Sequence, residues 1–270
     1  MLDTRERAAH LRRAPAPPSM TQPPTPDRGA VFDAPPPVPP KVEKASLLDD
    51  FMDIFYAPSA VFARRENASF WIPLIIVTVL LAVVFIANRD LIDPIMEAEM
   101  ARGMAKSAQK LTPEQIQTAT NFALKFAIVG AVLGPPFAIV VMGLVLWMVG
   151  KFFDAKQTLN AAIVVATFSY VPRVVEGIVN RVQGLFVDPN SLNSRYSLTL
   201  GLGRFFDPDT ASPMLLGLVG RIDVFTIWVT ILLAIGLAVT GKIPRSRAAI
   251  AGVLMWVLGA LPTLAGALRQ

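Results

Sequence analysis

Cysteine is absent from the 270 residues, and the single histidine, His10, lies in a proline-rich tail. The first absence excludes disulfides and thiolate chemistry. The second removes His/Cys metal sites and any Ser-His or Cys-His catalytic pair, so neither a metal nor a cofactor is expected. Charge is scarce too: Asp, Glu, Lys and Arg make up 17% of the chain, against about 25% in an ordinary soluble domain. The net charge of +5 is spread along the chain rather than gathered in a patch. Basic residues flank apolar runs in the manner of topology signals, and nucleic acid is not expected as a partner.

What the chain has in plenty is apolar sequence: 53% hydrophobic residues and a mean hydropathy of +0.52. Five segments approach or exceed the ~18 apolar residues needed to cross a bilayer. The expected fold is all-α, a polytopic membrane bundle of five transmembrane helices at about 70–87, 126–149, 159–182, 213–240 and 248–268. A Pro-rich tail (1–44) and an amphipathic region (45–66) precede it. The lipid bilayer is the first partner this implies, and a homo-oligomer is compatible with it.

Eleven of the 23 prolines fall in Met1–Pro40. Such a segment buries too little surface to offset chain entropy and is expected to be disordered. It has no apolar h-region of a signal peptide, and Met20 would serve as an alternative start. Pro35–Pro40 (PPPVPP) favours polyproline II, as a spacer or as a ligand for an aromatic groove. From Ser46, a good N-cap, Leu47, Leu48, Phe51, Ile54, Phe55, Val61 and Phe62 recur at helical spacing with Asp49, Asp50 and Asp53 opposite. Pro58 should divide this helix, with Ser59 capping the second turn. Two readings stand level: an amphipathic helix on the cytoplasmic membrane surface, or a helix packed on the bundle.

In the first span, Trp71 fits an interfacial anchor. Beyond it, Asp93-Pro94 and Thr112-Pro113 each read as an N-cap followed by a first-turn proline, and Thr112 with Gln115 as a capping box. Span two carries Gly134-Pro135-Pro136, which should kink or interrupt it. Gly130 and Gly134 form a GxxxG suited to close helix packing. The loop 183–212 holds Asp207 and Asp209 around Pro208, a turn rather than a metal site. Arg64, Arg65, Lys151, Lys156, Lys242, Arg245 and Arg247 crowd the short loops of one side. By the positive-inside rule this places the N-terminus in the cytoplasm and the C-terminus outside the cell (inner) membrane.

Ionisable groups inside a membrane are costly and point to function. Ala166–Gly177 (ATFSYVPRVVEG) carries Ser169, Tyr170, Arg173 and Glu176 within span three, and Arg221 and Asp223 fall in span four. Counting from the outer ends at 1.5 Å per residue, Arg173 and Asp223 lie ~14 and ~15 Å deep, and Glu176 and Arg221 ~9 and ~12 Å. Matching depths on antiparallel helices suggest the pairs Arg173–Asp223 and Glu176–Arg221, with Ser169 and Tyr170 hydrogen-bonding nearby. The alternatives are an i,i+3 pair of Arg173 with Glu176, or side chains that snorkel to the interface. Structural glue is favoured over a transport path.

Asp53–Pro58 (DIFYAP), Phe168–Pro172 (FSYVP) and Ile222–Ala238 (IDVFTIWVTILLAIGLA), in this order and spacing, resemble the YIP domain family of Ypt/Rab-interacting membrane proteins, prokaryotic branch. The resemblance covers about Leu47–Leu268 and rests on Asp53, Tyr56, Pro58, Tyr170 and Pro172. Ala57 stands where eukaryotic relatives have glycine. The resemblance implies an integral membrane protein without catalytic residues, of five spans with a cytoplasmic N-terminal region. Eukaryotic members bind small GTPases, whereas prokaryotic members generally have no assigned activity. The leading expectation is a non-enzymatic scaffold or adaptor for protein partners or lipid organisation, with a cytoplasmic protein partner engaged through the tail or the amphipathic helix. The alternative is a small-solute permease using the cluster of spans three and four. An intramembrane enzyme comes third, since no Ser-His pair, metal site or aspartate pair is visible.

Overall fold

The computed structural model describes residues 45–106, 112–188 and 191–267; the tail readings, the Pro35–Pro40 run among them, lie outside the described residues. Eleven α-helices carry the described residues, with a 3-10 turn at Leu202–Phe205 and no β-strand. The apolar faces of eight of them converge on one core that includes Val77, Leu146, Val165, Phe168, Leu232 and Leu237, and a smaller cluster of Leu91, Leu192 and Leu198 lies apart.

Helices α1 (Leu47–Asp53) and α2 (Pro58–Arg65) form a hairpin. Ser46 caps α1 through a full capping box with Asp49. Pro58 opens α2 in the first-turn position that its missing N–H permits. The cap of α2 is Ala57, without a side-chain bond, and not Ser59. Ile54, Val61 and Phe62 are fully buried, and α2 packs on the sixth and ninth helices of the chain. The inner face of region 45–66 is thus packed on the bundle, while Leu48, Met52 and Tyr56 stay exposed. Its acids are not all on the wet side either: Asp50 is fully buried.

Helix α3 (Trp71–Ala87) holds 17 residues. It meets α4 (Arg89–Lys106) at a 79° bend centred on Asn88, so α4 lies across the end of the bundle. Asp93 and Pro94 stand inside α4 and do not start it. Helix α5 (Pro113–Phe152) opens on the expected capping box of Thr112 and Gln115. Its 40 residues make ~60 Å, far more than a bilayer needs, and its apolar stretch is Val129–Phe152. Pro135 and Pro136 do not interrupt it. Proline's fixed φ is helical, and two forfeited amide bonds leave the remaining ladder to carry the helix on. Gly130 and Gly134 face open space: a Cβ there would meet nothing within 4 Å among the described residues.

The break falls instead in the third span. Helices α6 (Leu159–Ser169) and α7 (Val171–Gly184) join at Tyr170. Pro172 has no N–H to offer the Phe168 carbonyl, and α7 restarts with proline in its first turn. The two still run on as one apolar stretch, Leu159–Gly184. Span four is shorter than expected. Pro213–Val219 is a separate helix, α8, and the crossing helix is α9 (Val224–Gly241). Helices α10 (Arg245–Leu258) and α11 (Leu261–Ala267) complete the fifth stretch. Among the described residues, four helical stretches, or five with α3–α4, are long and apolar enough to cross a membrane.

Glycines seal these crossings. A Cβ on Gly177 of α7 would stand 2.0 Å from Val84 Cγ1 of α3, and one on Gly236 of α9 would stand 2.3 Å from Val165 Cγ1 of α6. Without a water-driven force between helices in lipid, such van der Waals approach holds them together.

Ion pairs gather at the two ends. Lys242 reaches Glu66 (3.4 Å) and Arg247 reaches Asp154 (3.6 Å) at one end, which also holds Lys151, Lys156 and Arg245. At the other end Arg181 binds Asp90, Arg195 binds Glu99 and Arg102 binds Asp209. There the Asp209 amide donates to Asp207 Oδ1 at 2.9 Å, the turn expected around Pro208.

Candidate functional site

Two charged groups stand inside or beside the spans. The first is centred on Arg173 of α7. Its Nη1 lies 2.6 Å from Glu176 Oε2 and 4.0 Å from Asp223 Oδ1, and its Nη2 donates to Thr226 Oγ1 at 2.9 Å. The i,i+3 pair and the interhelical pair therefore coexist, the former much closer. Asp223 is the N-cap of α9 and accepts from the Phe225 and Thr226 amides, both at 3.0 Å. It thus sits at the start of α9, where an anion meets the positive pole of the dipole.

Arg221 is not part of this group. It donates to the Gly259 carbonyl at 2.8 Å, at the C-terminal end of α10, and lies 5.4 Å from the Trp256 ring centre. The Trp256 indole N–H returns a bond to the Arg221 carbonyl at 3.2 Å. Free carbonyls at a helix end and an aromatic face are good company for a guanidinium, and burial holds its pKa below the usual arginine value. Glu176 thus takes Arg173 and not Arg221. Ser169 Oγ is buried without a hydrogen-bond partner, so the bond expected of it is not made; Thr226 supplies one instead.

The second group was missed in the sequence. Asp50, fully buried, takes Arg64 at 2.7 Å and Arg65 on its other oxygen, while Arg64 also holds Asp53 at 2.6 Å. Arg65 further donates to the Ala45 carbonyl at 3.1 Å. Two acids and two arginines sum to zero charge, the condition under which ions tolerate burial. The available signal was the spacing of Asp50 and Asp53 against Arg64 and Arg65 across Pro58, which a hairpin brings together. Reading the arginines as topology signals concealed it.

Aromatic rings join this hairpin to the spans. Phe51 lies 5.4 Å from Phe168, and Phe55 meets Trp228 edge-on at 5.4 Å, with Phe225 beside it at 6.4 Å. Trp228 is ~20 Å along α9 from its Gly241 end, so the tip of the hairpin reaches deep between the helices. The three segments DIFYAP, FSYVP and IDVFTIWV meet in this one place. Pro172 is buried beside the α6–α7 joint, where Tyr170 stands half-buried, and Tyr56 is 82% exposed. Leu48 and Met52 share its outer side at 77% and 61%. Among the described residues no three His, Cys, Asp or Glu side chains come together in a form able to hold a metal ion.

Comparison with known proteins fits this convergence. Residues 52–266 match the Yip1 domain, from within the hairpin to the end of α11. The chain is 27% identical over 219 residues to the membrane protein YknW of Bacillus subtilis, covering 79% of this chain and 86% of the relative. No solved structure matches. The match takes in the hairpin tip, the α6–α7 joint and α9 together, and the chain belongs to the Yip1 domain family as a multi-pass membrane protein.

Proposed function

We propose that this protein is a non-enzymatic membrane scaffold or adaptor whose α1–α2 hairpin presents the working surface. One observation carries the reading. Four mutually neutralised charges and the Phe51 and Phe55 rings fasten the hairpin, while Leu48, Met52 and Tyr56 point away from the bundle. A short helix held rigidly with an apolar outer side suits a partner's helix, packed there by van der Waals contact. The basic end is read as cytoplasmic, and residues 1–44 add to the partner's hold in this reading. The permease alternative rested on a broken span two and a pair of opposed ion pairs. With α5 continuous and Arg221 turned to Gly259, it has less support.

A photoreactive residue placed at 48, 52 or 56 in intact cells tests the proposal. The expected result is a discrete protein adduct at these three positions, weakened by deletion of residues 1–44, with none from position 186 at the opposite end. Lipid-only adducts at 48, 52 and 56 would replace the protein partner with a lipid one. No adduct above the position-186 background would sink the proposal.

A further inference from the structure

At the end opposite the hairpin, the 79° bend between α3 and α4 borders a half-open cavity of about 330 Å³ lined by α3, α4, α7, Arg195 and Leu198. Val84, Phe85, Ile92, Ile95 and Met96 line it. Asn88, at the bend, stands at one end and is 5% exposed. Its amide nitrogen donates to the Val84 carbonyl at 2.7 Å and the Gly177 carbonyl at 3.2 Å, which fixes the orientation of the amide. Oδ1 is then left buried with no donor among the described residues. A buried acceptor without a partner is uncommon and calls for an explanation.

Glu99, also on its wall, lies eleven residues beyond Asn88 along α4, hence ~16 Å away. A volume of about 330 Å³ drawn out over that length is a slot for one chain, not for a ring system or a two-chain lipid. Glu99 and its partner Arg195 also line a second cavity of about 440 Å³, with Arg102, Ser194 and Tyr196 on its wall. The apolar slot thus adjoins an open, mixed polar and apolar cleft at the Glu99–Arg195 pair, which offers a way in from the end of the bundle.

We propose that this slot is a binding site for a single-chain lipid whose hydroxyl or amide N–H donates to Asn88 Oδ1, its chain lying along Ile92, Ile95 and Met96. An ionised carboxylate has no donor and would set its charge against the same oxygen. An alkane fills the slot but leaves Oδ1 unsatisfied. This site is separate from the hairpin, and the inference does not rest on the scaffold reading.

The probes are 1-dodecanol, dodecane and dodecanoate, loaded together in equal amounts onto the full-length protein in detergent. After removal of free micelles, each is quantified per mole of protein by gas chromatography. One neutral hydrogen bond is worth about tenfold in affinity, so the wild type should retain the alcohol about tenfold over the alkane. Asn88→Leu should erase that preference, and Met96→Trp, which fills the slot and leaves Asn88 in place, should lower retention of both. Equal retention of alcohol and alkane by the wild type, or wild-type retention by a Met96→Trp protein with a normal size-exclusion profile, would overturn the site. Should Asn88→Leu fail to fold, the Met96→Trp comparison decides alone.

Discussion

Phe51 and Phe168 rest ring against ring, 5.4 Å between centroids, and this contact brings the first helix of the described chain to the end of α6, just before the Tyr170 joint. Both rings belong to the core, Phe168 fully buried. Phe168→Ala should therefore cost about 3 kcal/mol by loss of packing. Thermal unfolding followed by tryptophan fluorescence would read it as a clear fall in Tm, and a Tm within error of the wild type would show that the hairpin is not seated there.

The buried Asp50 gives a second expectation. Removing one member of a buried ion group leaves its partners uncompensated, at about 3 kcal/mol. Asp50→Asn should destabilise by about that amount, and the triple variant Asp50→Asn, Arg64→Gln, Arg65→Gln should be more stable than Asp50→Asn alone. Recovery would identify the loss as unpaired charge; a further fall would identify it as packing.

Arg221 and Glu176 should be energetically independent. In a double-mutant cycle with Arg221→Gln and Glu176→Gln, the effects on Tm should add, whereas Arg173→Gln and Glu176→Gln should couple by about 1 kcal/mol. Coupling across Arg221 and Glu176 would restore the pairing first read from their depths.

The glycines sort by what they touch. Gly177→Ala places a Cβ against β-branched Val84 and Gly236→Ala against Val165, each overpacked by about 1–3 kcal/mol. Gly134→Ala, on the open side of α5, should be neutral or slightly stabilising. Loss of folded yield from Gly134→Ala would mean that α5 is covered on that side.

Acid should loosen the end opposite the hairpin. Burial alone would raise the Glu99 carboxyl, but the hydrogen bonds and charge of Arg195 outweigh it and hold its pKa below the ordinary 4.5. A carboxyl lowered on folding adds stability above its unfolded pKa and loses it as pH falls through the folded value. Tm should therefore drop as pH falls below about 4.5, more steeply than in Arg195→Gln. Parallel pH profiles for the two proteins would remove the pair from the balance.

Much of this was legible in advance. Long apolar runs mark the spans whatever their packing, and the caps at Ser46 and Thr112 act over three or four residues, within reach of local reading. Apart from the proline pair of α5, the failures share a cause: each needed a partner from elsewhere in the chain. Gly134-Pro135-Pro136 promises a break by local rules, yet the ladder of a 40-residue helix absorbs it. Arg64 and Arg65 read as surface signals until Asp50 and Asp53 fold back upon them. Arg221 lay within ~3 Å of the counted depth of Glu176, and only the turn between α8 and α9, with the end of α10 beside it, decides where it points. Asn88 gave no signal at all, because an asparagine after an apolar run is usually only a helix end.

The seating of the hairpin has a consequence for synthesis. Phe51 and Phe55 emerge from the ribosome early, but their counterparts Phe168 and Trp228 are made much later, the second when most of the chain is out. Until α9 has entered the membrane, the first helical hairpin has no seat. A nascent chain must hold it aside throughout the insertion of α3 to α7, and a chain cut short before Trp228 presents an undocked hairpin that quality-control proteases can find.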